Sequence, residues 1–357
     1  MKTLDKDGTT HLNSQSTSRW DQIVGHEWAV TLLSGAIAHQ RIGHAYLITG
    51  PAQIGKTTLA RTFAQALNCE ATTLAQRPCG QCRACQLIGT DRHPDVRLIE
   101  PEVSGRGSLS LKIEAIRELQ RDLNLAAYEG RYKVAILKRF DAANQNAANA
   151  FLKTLEEPPG NVILLLTATD ADTLLDTITS RCRTVGLRPL PTSLIEQSLT
   201  KRWAIPDEQA HLLAHLADGR LGWAVQAAQD PTILTERTEK IAQLQTILAG
   251  NRGGRFAEAD GLANKPELVP PLLQTWLGWW RDLLLLSQGG GENGRLLPIT
   301  NIDQQATLRQ QSQQWDKQTI LRSVQETRLA LWQLERNANT RLVLENLFLV
   351  YPYEVAK

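Results

Sequence analysis

Between Trp20 and about Leu187, short apolar runs alternate with stretches whose apolar residues recur every three or four positions. "HAYLITG" (44–50), "VRLIE" (96–100), "KVAILK" (133–138) and "NVILLLTA" (161–168) have the length and β-branched content of strands, and "TVGL" (184–187) reads as a short fifth. Leu59, Phe63, Ala66 and Leu67 fall on one face of a helix predicted over 55–68. A second apolar stripe joins Ile113, Ile116, Leu119 or Gln120, and Leu123. A third helix over 144–157 is stopped by Pro158 and Pro159. Strands apolar on both faces that alternate with helices imply a parallel sheet covered on both sides, an α/β domain.

After Pro189 the strand pattern stops. Residues 191–250 read as short helices with a break at "DGRLG" (218–222), and "NRGG" (251–254) reads as a linker. The remainder is helical and rich in Leu and Trp, interrupted by "SQGGGENGR" (287–295). Trp276, Trp279 and Trp280 share a helix with Leu272, Leu273, Leu283 and Leu284; a helical core is favoured over a stacking surface. The expected organisation is a tail (1–19), an α/β domain (20–187), a small helical domain (188–250) and an all-α domain (251–357).

Composition narrows the classes. A chain of 357 residues suits two or three domains, and 21% charged with 42% hydrophobic residues is ordinary for a globular protein. The net charge of +2 is too small to argue for nucleic acid, so that case falls to local clusters such as Lys112, Arg117, Arg121, Arg131, Lys133 and Arg139, most of which read as a solvated face. No apolar run is long enough to cross a bilayer, and no membrane partner is expected. The first 19 residues are polar, without the apolar core of a signal peptide, and read as a disordered tail. A cytoplasmic, reducing location follows as an expectation, in which the five cysteines serve metal binding rather than disulfides.

The sharpest local motif is "GPAQIGKTT" (50–58), which satisfies G-x-x-x-x-G-K-[ST] at every position between a strand and a helix. Gly50 and Gly55 let the backbone amides face phosphates, Lys56 would reach the β- and γ-phosphates, and Thr57, followed by Thr58, would ligand magnesium. Cys69, Cys79, Cys82 and Cys85 follow the spacing C-x9-C-x2-C-x2-C, which suits a structural zinc module over 69–85 with no open catalytic position.

"HAYLITGPAQIGKTTLA", the cysteine cluster, "HPDV" (93–96), "NAFLKTLEEPP" (149–159) and "TSRCR" (179–183) occur together in this order. On these the chain resembles bacterial replicative clamp-loader subunits of the AAA+ class, and within it those of delta-prime type in DNA polymerase III. The similarity covers about residues 20–230 and returns at "NANTRLVLENLFL" (337–349). It implies a nucleotide-binding AAA+ domain with a zinc insertion, a helical lid and a helical collar. It also implies a place in a hetero-pentamer with gamma/tau and delta subunits, acting on a sliding clamp at primed template DNA.

Counting back from "NAFLKTLEEPP" aligns Lys138 and Arg139 with the Asp-Glu pair of the motor subunits. A lysine cannot ligand a cation and an arginine cannot act as a base at neutral pH, so hydrolysis at this chain's own site is disfavoured. ATP or ADP remains compatible with the loop, while Mg2+ has lost its carboxylates. Asp141, or Glu156 with Glu157, is better suited to helix-end or interface roles than to replacing them. Gly222 stands where motor subunits carry a γ-phosphate-contacting arginine, with Arg220 two residues out of phase. Thr169 is a candidate γ-phosphate sensor or, equally, a strand cap. Arg181, in "SRC", corresponds to the family's arginine finger, which acts on the neighbouring subunit's ATP. The expectation is a stator, not an ATPase alone; the alternatives are a gamma/tau-like ATPase motor and an AAA+ protein outside replication.

Overall fold

The structure is a computed structural model that describes residues 19–103, 109–288 and 299–353. The expected tail, apart from Arg19, and most of the 287–295 loop lie outside these residues. The described chain forms two compact units. Among the described residues, one comprises 19–51, 55–102 and 110–188; the other comprises 52–54, 103, 109, 189–288 and 299–353.

The first unit is built on a five-stranded sheet of β1 (Ala45–Thr49), β2 (Val96–Ile99), β5 (Lys133–Leu137), β6 (Val162–Ala168) and β7 (Arg183–Gly186). A short ribbon pairs β3 (Glu102–Val103) with β4 (Leu109–Ser110). The sheet order is β2-β5-β6-β1-β7 and every pairing is parallel. All residues of β1, β5 and β6 are buried, as continuous apolar runs in a doubly covered sheet require. The outer strands β2 and β7 are only partly buried, so "VRLIE" and "TVGL" carry exposed polar positions.

The helices of this unit are α1 (Glu27–Ala38), α2 (Lys56–Asn68), α3 (Arg83–Gly89), α4 (Ile113–Leu123), α5 (Gln145–Glu156) and α6 (Asp176–Thr179). On α4, Ile116, Leu119 and Leu123 are the buried members of the expected stripe, which therefore runs through Leu119 and not Gln120. Gln120 instead donates to the Ala150 carbonyl and Thr154 Oγ1, both at 2.8 Å, binding α4 to α5. On α2, Phe63 meets Tyr46 of β1 edge-on at 5.1 Å. Asn144 caps α5 by accepting from the Ala147 N–H at 2.8 Å.

The second unit contains α7 (Thr192–Trp203), α8 (Asp207–Leu216), α9 (Leu221–Gln229), α10 (Thr232–Ala249), α11 (Arg252–Ala263), α12 (Val269–Ser287), α13 (Gln305–Gln314), α14 (Lys317–Glu335) and α15 (Thr340–Val350). Trp276, Trp279 and Trp280 on α12 are fully buried with Leu244, Leu308, Leu344 and Phe348, so the tryptophan cluster is core. "NRGG" is not an extended linker: Asn251 accepts from the Gly254 N–H at 2.9 Å and opens α11, because a good N-cap outweighs two poor helix formers. Arg255 on that helix is completely buried and has no carboxylate partner among the described residues. Its guanidinium donates to the carbonyls of Phe348 (2.5 Å), Tyr351 (2.7 Å) and Pro352 (2.7 Å), using the free acceptors at the end of α15.

No helix among the described residues is long and apolar enough to cross a membrane.

Candidate functional site

The carboxyl edge of the parallel sheet collects the residues expected to handle phosphate. β1 ends at Thr49, and α2 begins at Lys56 after Gly55, which has φ +109°. Nothing lies within 4 Å of a Cβ built there, so the left-handed backbone rather than lack of space calls for glycine. The Gly50 N–H donates to the Thr169 carbonyl at 3.1 Å, tying the start of the loop to the end of β6. Lys56 folds back onto the loop, donating to the carbonyls of Gly50 and, at 2.7 Å, Pro51. Burial takes its pKa down to about 8, opposed by Asp141 and reinforced by Arg139. Thr57 and Thr58 occupy the first turn of α2. An open cleft of ≈ 970 Å³ is bordered by Trp28, Gly50, Pro51, Thr169 and Arg188. The helix start, the left-handed glycine and the lysine together fit a phosphate.

The end of β5 does not fit magnesium. Lys138 pairs with Glu100. Arg139 has a left-handed backbone (φ +48°), and its N–H donates to Thr167 Oγ1 at 3.0 Å. Its guanidinium is exposed and has no hydrogen bond or ion pair among the described residues. The nearest acid in this turn, Asp141, accepts from Thr169 Oγ1 at 3.0 Å through Oδ2, while its buried Oδ1 has no hydrogen-bond partner. Thr169 therefore bonds the carboxylate beside it through its hydroxyl. Arg220 donates to its own turn at the Ala217 carbonyl (2.8 Å), and Gly222 lies in the first turn of α9.

Cys69, Cys79, Cys82 and Cys85 converge, with all four Sγ atoms within 4.8 Å of one another and those of Cys69 and Cys82 at 4.0 Å. A tetrahedral Zn–S4 centre with bonds of about 2.3 Å needs S···S separations of about 3.8 Å, so the cluster can hold such an ion with little movement. The chain supports thiolates there: the N–H groups of Cys79, Cys82 and Cys85 donate to the sulfurs of Cys69, Cys79 and Cys82 at 3.3, 3.3 and 3.4 Å. Burial raises the Cys69 and Cys85 thiols. At Cys79 burial also pushes upward, but the N–H groups of Cys82 and Gln81 bring it down to about 7. Gly80, with φ +74°, makes the tight turn between ligands. Gln65 on α2 donates to the Cys85 carbonyl at 2.7 Å, fastening the module to the helix that begins at the phosphate loop. Cys182 lies apart, its thiol pushed up to about 11 by burial.

Arg181 follows α6 and is partly exposed. One nitrogen donates to the Thr177 carbonyl at 2.8 Å and the other meets Glu156 Oε1 at 2.8 Å. The first Glu of "LEEPP" thus holds the arginine of "SRC", a pairing that the linear sequence separates by 25 positions and did not reveal.

The structure also gives "HPDV" a job. Asp95 accepts from the N–H groups of Tyr128 (2.7 Å), Glu129 (2.8 Å) and Gly130 (2.7 Å), clamping the turn that enters β5. Burial opposes its ionisation, but these three donors prevail and hold the carboxyl below its ordinary value. His93 is buried beside it, and burial holds its imidazole below the usual histidine range. Half of the basic cluster is engaged within the fold: Lys133 is buried and donates to the Asp122 carbonyl at 2.5 Å, Arg131 donates to the Cys69 carbonyl at 2.7 Å, and Lys112 pairs with Glu102 at 2.8 Å. Arg117 and Arg121 remain on the exposed face of α4.

Known proteins resemble this chain over much of its length. The model of a family described as DNA polymerase III, delta subunit, matches residues 25–191. DNA polymerase III subunit delta' of Pseudomonas aeruginosa is 34% identical over 258 residues, covering 71% of this chain and 75% of that protein. The delta' subunit of Bacillus subtilis is 32% identical over 225 residues, 63% of this chain and 65% of that one. DNA polymerase III subunit tau of Salmonella typhimurium is 37% identical over 204 residues, 56% of this chain but only 31% of tau. A solved gamma subunit-related protein from Thermotoga maritima aligns over 90% of this chain and 97% of its own, at 19% identity and a TM-score of 0.45. Sharing 34% of aligned residues with a delta' protein across three quarters of that protein's length, the chain belongs to the family of DNA polymerase III subunit delta'.

Proposed function

We propose that this chain is a delta'-type stator of a replicative clamp loader. It would work in a hetero-pentamer with gamma/tau and delta subunits that places a sliding clamp on primed template DNA. The observation that carries the reading is the contrast between two sites. Lys138 and Arg139 stand where a motor subunit needs its magnesium and water-orienting acids, whereas Arg181 retains its flanking Ser180 and Cys182 and presents a guanidinium at the surface. The chain's own site is built to hold ATP or ADP through Gly50, Gly55, Lys56, Thr57 and Thr58, with Thr169 beside the loop. Magnesium would neutralise phosphate charge in a motor site; here Thr57 could still offer it a hydroxyl, but Lys138 and Arg139 replace the acids that would hold it.

In the neighbour's site Arg181 stabilises charge on the transferring phosphoryl group, the role of an arginine finger. The four cysteines hold structural zinc. The chain is organised as a nucleotide-binding domain, lid and collar, with boundaries near 187 and 250, and resides in the cytoplasm.

The test is ATP turnover by the assembled loader with clamp and primed DNA, comparing wild type with Arg181→Ala at matched assembly. A fall of about a thousandfold at the affected site is expected from the worth of such fingers. Unchanged turnover overturns the reading. A gamma/tau-like motor role, favoured by the identity with tau, predicts instead that Lys56→Ala removes turnover in the same assay.

A further inference from the structure

We propose that the phosphate loop binds a nucleoside di- or triphosphate free of divalent metal, with the Arg139 guanidinium supplying the positive charge that magnesium supplies elsewhere. The inference rests on the reading that the loop takes nucleotide, and goes beyond it in saying which form of the nucleotide is bound and by which residue.

The two cations at the end of β5 are not equivalent. Lys138 is neutralised by Glu100. Arg139 has no counter-ion among the described residues and is exposed. Its main chain is fixed: the N–H is held by Thr167 Oγ1 at 3.0 Å, and Thr167 pairs in register with Ile48, two residues before Gly50. The left-handed backbone at a residue other than glycine is uncommon and is maintained there by this bond and by the Ala142 N–H donating to the Arg139 carbonyl at 2.8 Å. The same turn is tied to the loop: Asp141 accepts from Thr169 Oγ1 at 3.0 Å, and the Thr169 carbonyl accepts from the Gly50 N–H at 3.1 Å, so Arg139 and the phosphate loop stand at one edge of the sheet.

A metal ion entering that site would meet both cations. The acid in the same turn, Asp141, is engaged by Thr169 through Oδ2 and also attracts Lys56, so a divalent ion would compete with an ammonium already present. A polyphosphate carries the opposite charge and gains from each cation. A guanidinium offers two of its oxygens a planar fork of parallel N–H donors, a fixed geometry that an ammonium lacks. Bound in this way, nucleotide would lack both the bridging metal and the water-orienting acid and would be retained rather than turned over.

The experiment is titration of the full-length chain with fluorescent ATP and ADP analogues, in magnesium and in EDTA. The proposal expects affinity in EDTA equal to or tighter than in magnesium. Arg139→Asn, chosen because Asn tolerates a left-handed backbone, should weaken binding in EDTA by about tenfold, with circular dichroism confirming the fold. A tenfold or greater loss of wild-type affinity in EDTA overturns the proposal, and its disappearance in Asp141→Asn would reassign the metal to Asp141. Equal affinity of wild type and Arg139→Asn in EDTA overturns the role of Arg139. No binding in either condition overturns the underlying nucleotide reading instead.

Discussion

The end of β5 and the turn after α6 both present arginine, yet with opposite surroundings. At β5 the cations Lys138 and Arg139 follow the strand end, and one of them is already neutralised by Glu100. After α6, Arg181 is braced by Glu156 and the Thr177 carbonyl while staying partly exposed. The contrast teaches that a residue's charge alone does not assign a role. What matters is whether its partners consume it, orient it or leave it available.

The largest expected effect comes from the metal module. Cys85→Ser, or chelation, removes a ligand from the set fastened to α2 through Gln65, and loss of a structural metal ranks with changes of about 4 kcal/mol or more. Thermal melting with metal stoichiometry measures it; wild-type stability in a metal-free Cys85→Ser chain would show that the cysteines act as ordinary core. Asp95→Asn is next, at about 2 kcal/mol, because three backbone donors lose their ionised acceptor. Its pH signature has a fixed sign. The folded pKa of Asp95 lies below 3.8 and that of His93 below 6.5, so both contributions are complete above those values and fade as pH falls through the lower folded ones. Denaturant melts from pH 7 to 3 should therefore show a shallower acid loss in Asp95→Asn than in wild type.

Glu156→Gln sharpens the comparison directly. As a partly exposed ion pair it should cost at most about 1 kcal/mol in stability. If Glu156 orients Arg181, loader turnover should fall by less than Arg181→Ala produces, with unchanged ring assembly; a null effect would make Glu156 a resting partner only. Lys138→Ala should have the smallest effect, leaving loader turnover within about twofold, since the surface pair with Glu100 is worth little.

The sheet, its helices, the phosphate loop and the cysteine cluster were legible in the sequence because each is written in local spacing. Apolar runs mark β1, β5 and β6, and two overlapping C-x2-C pairs mark the module. The edge strands were legible in position but less so in extent, because partial exposure breaks their apolar pattern. The pairings Glu156–Arg181, Thr169–Asp141 and Lys138–Glu100 were not legible. Each joins residues from different elements, and no periodicity records which side chains the sheet brings together. "NRGG" misled because glycine suggests a linker, whereas the preceding backbone and the Asn251 cap start a helix. Lys133 misled in the other direction: in a list of basic residues it looks like surface, but its place in a central strand buries it.

The most direct test of the stator account measures ATP turnover in assembled loaders carrying either Lys56→Ala or Arg181→Ala in this chain, at matched ring assembly, with clamp and primed DNA. The account predicts turnover close to wild type for Lys56→Ala and a marked fall for Arg181→Ala. A fall with Lys56→Ala and none with Arg181→Ala would contradict it, showing a chain that spends its own nucleotide and contributes nothing to its neighbour's.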